Sequence, residues 1–78
     1  MHTLQVIFRS FEDVRDFVSL AMEHRFDITV SNGAHIVDAK SLMIMFSLDY
    51  SRPMELRADC SDAEFSAFAE KAARFRVS

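Results

Sequence analysis

Leu4, Val6 and Phe8 alternate with Gln5 and Ile7, the period of two that marks a strand with one buried face, and place a first strand over residues 3–8. Ser10 follows as a helix N-cap with Asp13 three residues on, resembling a capping box. Phe11, Val14, Phe17, Val18, Ala21 and Met22 then recur at three- and four-residue spacing, which predicts an amphipathic helix over residues 11–23 whose apolar stripe faces the core. His24 and Arg25 stand at its carboxyl end, where a cation complements the helix dipole.

Residues 27–31 and 34–38 read as a hairpin around Asn32-Gly33, because a two-residue turn of this kind needs positive φ at both central positions and these residues tolerate it best. That register sets Ile28 and Val30 against Val37 and His35 and turns His35 toward the core face. Ser41 then caps a short helix, its hydroxyl placed to accept a bond from a first-turn N–H. After a turn at residues 50–53, Met54, Leu56 and Ala58 alternate with Glu55, Arg57 and Asp59 in a half-buried strand. Ser61 and Glu64 form a second capping box ahead of Phe65, Phe68, Ala69, Ala72 and Phe75, with acidic residues at the amino end and Lys71, Arg74 and Arg76 toward the other. The order strand, helix, strand, strand, short helix, strand, helix is that of a split βαβ α+β domain with helices on one face of an antiparallel sheet.

The short helix has more apolar residues than a core stripe uses. A helix of about two turns can direct only part of its circumference at a sheet, so some of Leu42, Met43, Ile44, Met45, Phe46 and Leu48 must face outward. Methionine is unbranched and polarizable, which suits a surface that meets differently shaped partners, and exposed apolar patches mark interaction sites.

Asn32-Gly33, the run Val37-Asp38-Ala39-Lys40-Ser41, Leu42-Met43 and Ser47-Leu48, with Asp27-Ile28-Thr29-Val30 upstream, resemble the histidine-containing phosphocarrier protein HPr of the bacterial sugar phosphotransferase system. The resemblance runs from Phe17 to Phe75 and is most specific at Ala39-Lys40-Ser41-Leu42-Met43. It implies an open-faced four-stranded antiparallel sheet in the order 1-4-2-3, βαββαβα, with the long helices on one side. It also implies that Ser41 matches the serine modified by HPr kinase/phosphorylase, and that Lys40, Leu42, Met43 and Phe46 match residues that dock enzyme I, the kinase or a catabolite-control regulator.

The first 16 residues depart from that family. Aligning Phe17-Val18 with its first helix puts Ser10 at the phosphohistidine, Glu12 where an arginine belongs and Asp13 where a proline usually stands, and the glycine-containing loop before the histidine is missing. Ser10 is a poor substitute, since Glu12, Asp13 and Asp16 surround any phosphate with like charge despite the adjacent Arg9. A serine phosphate is also a stable ester, ill suited to transfer. His2, His24 and His35 have no partner at ligand or triad spacing, Cys60 is a small strand-end residue, and no metal site or glycine-rich phosphate loop is present, so neither an enzyme nor a cofactor is expected.

Composition narrows the partners. Seventy-eight residues, half of them hydrophobic, suit a single HPr-like domain over residues 1–78, with one Gly, one Pro and no linker. The single cysteine excludes an internal disulfide, and the first residues show no basic segment followed by an apolar run, so a cytoplasmic protein is expected. No apolar stretch spans a membrane, and a net charge of −3 argues against a nucleic-acid surface. Two functions remain: an HPr-like regulatory or docking module that carries no phosphate on histidine, like the catabolite-repression relatives that lack the histidine and keep the serine, or a working phosphocarrier with an atypical acceptor.

Overall fold

The computed structural model describes residues 1–50 and 52–77. Strand β1 (His2–Val6) leads to helix α1 (Phe11–Met22), strands β2 (Ile28–Ser31) and β3 (Ile36–Asp38), short helix α2 (Leu42–Ser47), strand β4 (Met54–Ala58) and helix α3 (Asp62–Lys71), followed by a 3₁₀ turn at Ala73–Phe75. The sheet is antiparallel in the order β1-β4-β2-β3, as the resemblance implies.

One face of the sheet makes the core. Leu4, Val6, Ile28, Val30, Met54, Leu56 and Ala58 are buried at alternate positions, while Thr3, Gln5 and Arg57 face outward. From the helices, Val14, Phe17, Val18, Leu20 and Ala21 of α1 and Phe68 of α3 close over that face, joined by Ala72, Phe8 and Phe75. The aromatic rings meet at angles rather than flat: Phe17 lies 4.9 Å from Phe8 and 5.6 Å from Phe75, and 6.3 Å from Phe68.

Both long helices start on a serine whose Oγ accepts a backbone N–H: Asp13 N to Ser10 at 3.2 Å, and Glu64 N to Ser61 at 3.2 Å. At α3 the box is complete, since Glu64 accepts the Ser61 N–H at 3.0 Å, and hydrogen bonding to its carboxyl, first from the Ser61 backbone and then from the Ser61 hydroxyl, holds it below the usual glutamate range. At α1 the box is half made: the Asp13 carboxylate accepts the N–H of Arg9 rather than that of Ser10.

Several boundaries differ from the sequence reading. The first strand ends at Val6, and Phe8 is buried in the segment after it. There the chain's last described residues pair with the first strand, Val6 bridging Arg76, Ile7 N–H donating to Phe75 O at 2.8 Å and Val77 N–H donating to Gln5 O at 2.9 Å. The hairpin pairs Val30 with Val37 and Ser31 with Ile36, two residues out of the expected register, so its tip is Asn32 to His35 and β3 starts at Ile36 rather than Ala34. Gly33 has φ 96°, and no described non-glycine residue has positive φ, which fits a turn with glycine at the first central position rather than an Asn-Gly pair in the centre. Asn32 Oδ1 fixes this turn by accepting the N–H groups of Ala34 and His35 at 3.0 and 2.9 Å. His35 is consequently at the exposed tip and not on the core face.

Phe11 and Met22 are 61% and 65% exposed and do not belong to the core stripe, whereas Leu20, outside the expected stripe, is buried. At 100° per residue, the buried residues of α1 span an arc from Leu20, about 60° to one side of Phe17, to Val18, about 100° to the other; Phe11 and Met22, at about 120° and 140°, lie just past the Val18 edge of that arc and are the first and last residues of the helix. His24 lies beyond the C-cap Glu23, so the last turn of α1 has no cation. Its ring packs 5.1 Å from Phe26 and 5.2 Å from Phe68, and its buried Nε2 has no hydrogen-bond partner.

Candidate functional site

The short helix divides its apolar residues as a two-turn helix over a sheet must. Met45 and Leu48, three residues apart and so on one side, are buried; Leu42, Met43, Ile44 and Phe46 are exposed, Met43 most of all at 85%. The outward surface that the apolar excess predicts is therefore present. It is also larger than α2. Helical side chains lean toward the amino terminus, so Phe11, the first residue of α1, projects past the helix start. Its ring meets Phe46 edge-on at 5.3 Å and Tyr50 at 5.9 Å. Phe11 is the surface residue that a core-stripe reading misses; its place as the first residue of α1, at the edge of the buried arc, is the signal for it.

Ser10 stands immediately before Phe11, at the amino end of α1. Several groups that would receive an anion there are already engaged, the Asp13 N–H by Ser10, the Arg9 N–H by Asp13 and the Arg74 guanidinium by two carboxylates. Asp13 Oδ2 accepts the Arg9 N–H at 3.0 Å, Asp13 Oδ1 accepts from Arg74 at 3.1 Å, and the other guanidinium nitrogen of Arg74 donates to Asp16 at 2.7 Å. Arg74 comes from the 3₁₀ turn, with its guanidinium carbon 4.3 Å from the centre of the Phe75 ring, and sequence spacing gives no hint of this long-range clasp. The helix end thus carries its own carboxylate and its own arginine. Asp13→Ala, which removes two charge-assisted hydrogen bonds from a mostly buried side chain, is expected to cost about 1–2 kcal/mol in urea denaturation. A midpoint equal to that of the unaltered chain would mean the clasp contributes nothing.

Ser41 is the N-cap of α2, but its side chain makes no capping hydrogen bond. The difference from expectation lies in the backbone: Ser10 and Ser61, which do cap, have ψ of 168° and 165°, whereas Ser41 has ψ 99°. Asp38 supplies the local order instead, its carbonyl accepting the Ser41 N–H at 3.1 Å and its carboxylate the Lys40 N–H at 2.9 Å. Lys40 sends its ammonium back to the Phe26 carbonyl at 2.9 Å, which anchors the segment before α2 to the segment before β2. Leu42, Met43 and Phe46 share the exposed surface with Phe11, while Ser10 adjoins it through Phe11.

The three histidines are dispersed. His2 stacks on Phe65 at 4.5 Å with Nε2 2.9 Å from Asp62, His24 packs on phenylalanines, and His35 lines an open groove with Ser47, Leu48 and Asp49. None stands at the amino end of α1. Cys60 is half-buried, and its burial first, then the nearby Glu64 and Asp59 carboxylates, push the thiol up, which disfavours the nucleophilic thiolate. Among the described residues, no group of three or more His, Cys, Asp or Glu is placed to hold a metal ion, and no helix is long and apolar enough to cross a membrane.

No family model matches the chain, and no curated protein matches it. Among solved structures it is similar to the crystal structure of HPr-C-His from Thermoanaerobacter tengcongensis, with a TM-score of 0.76 and 22% sequence identity over 95% of this chain and 92% of that one. The element order, the sheet order and this superposition agree: the chain has the HPr-like fold.

Proposed function

We propose that residues 1–78 are one HPr-like docking module, a divergent relative of the bacterial phosphocarriers that acts through other proteins in the cytoplasm and carries no phosphate on histidine. The observation that supports this reading is the apolar surface of Phe11, Leu42, Met43 and Phe46 beside an α1 amino terminus held by Asp13 and Arg74. Its partners would be those of the phosphotransferase system: enzyme I, HPr kinase/phosphorylase or a catabolite-control regulator, with no role for nucleic acid, membrane or cofactor. Catalysis is not part of the proposal, because the surface binds and nothing on it attacks.

Incubation with phosphoenolpyruvate and enzyme I, followed by intact mass measurement, tests the reading directly. No acid-labile phosphoryl gain is expected. A gain lost in acid and mapping to His2, His24 or His35 would replace the docking module with a working phosphocarrier that has an atypical acceptor.

Regulation of the same module is proposed at Ser41. Its hydroxyl makes no capping bond, while those of Ser10 and Ser61 are committed to Asp13 and Glu64 and lie among carboxylates. A phosphate would add a charge of about −1.5 to −2 next to Leu42 and Met43 and at the start of a helix, altering partner choice by local electrostatics. The Lys40 ammonium would have to leave the Phe26 carbonyl to pair with it. Treatment with HPr kinase and ATP is expected to modify Ser41 alone; no product, or equal modification of Ser10 or Ser61, would reduce Ser41 to a helix-start residue.

A further inference from the structure

We draw no further inference here: the strongest candidate, the exposed apolar patch that Phe11 of α1 shares with Leu42, Met43 and Phe46 of α2, belongs to the docking surface already described, and nothing in the structure shows what else covers it.

Discussion

Met45→Asp is expected to leave no cooperatively folded protein, while Met43→Asp, two residues earlier on the same helix, should leave the urea midpoint almost unchanged. Met45 is 1% exposed and Met43 85%. Removing a buried methionine forfeits about 1.5–3 kcal/mol of burial, and a carboxylate in its place adds several more because nothing there pairs with it. A chain of 78 residues has about 4–12 kcal/mol in total, so the loss consumes most of its stability. At the exposed position the change should stay within about 0.5 kcal/mol. The same Met43→Asp chain should lose partner binding by about 2 kcal/mol, roughly 30-fold, if Met43 is a central anchor of the docking surface. Circular dichroism with urea titration reads the first contrast and binding to enzyme I the second. A folded Met45→Asp with an unaltered midpoint would reverse the face assignment of α2, and an unfolded Met43→Asp would turn the patch into core.

Phe17→Ala is expected to destabilise by about 3–5 kcal/mol, against at most about 1 kcal/mol for Phe11→Ala. Phe17 is fully buried and contacts Phe8, Phe68 and Phe75, so its removal opens a cavity bounded by rings from the segment after β1, from α3 and from the 3₁₀ turn. Those rings sit on separate elements and cannot all collapse into the gap. Phe11 is 61% exposed, and its ring contacts are with Phe46 and Tyr50 at the surface. Equal losses in urea denaturation would show that Phe11 contributes to the core as much as Phe17 does.

The comparison of these two phenylalanines explains what the sequence makes legible. Both fit three- and four-residue spacing, and spacing alone placed both in one stripe; what separates them is that Phe17 stands mid-helix inside the buried arc, whereas Phe11 is the first residue of α1, at the edge of that arc. Sheet order came from resemblance, since alternation identifies strands without naming their neighbours. The Ser61 and Glu64 box was readable because both halves are local. At Ser10 the reciprocal partner moved one residue to Arg9, and at Ser41 the hydroxyl bond disappeared with a ψ that residue type does not encode. The hairpin displaced its tip because Asn32 satisfies two N–H groups through its side chain, an option that an Asn-Gly pattern does not distinguish. The Arg74 clasp and the pairing of Arg76 and Val77 with the first strand join residues from opposite ends of the chain, and no periodicity reports such contacts.

That pairing bears on how the proposed docking module would remain selective while exposing so much apolar surface. A sheet's outer strand offers a ladder of unpaired backbone groups to which any extended chain can add, with little regard for sequence. On one flank, the Val6 bridge to Arg76 and the Val77 bond to Gln5 occupy the end of that ladder with the protein's own backbone and leave only a short stretch of β1 beside it. On the other flank β3 offers only three residues and ends on Asp38, too short and too charged a template for strand addition. With both flanks blunted, the docking proposed above would be left to side chains on α2 and Phe11, whose shapes would discriminate among partners where a backbone ladder would accept them all.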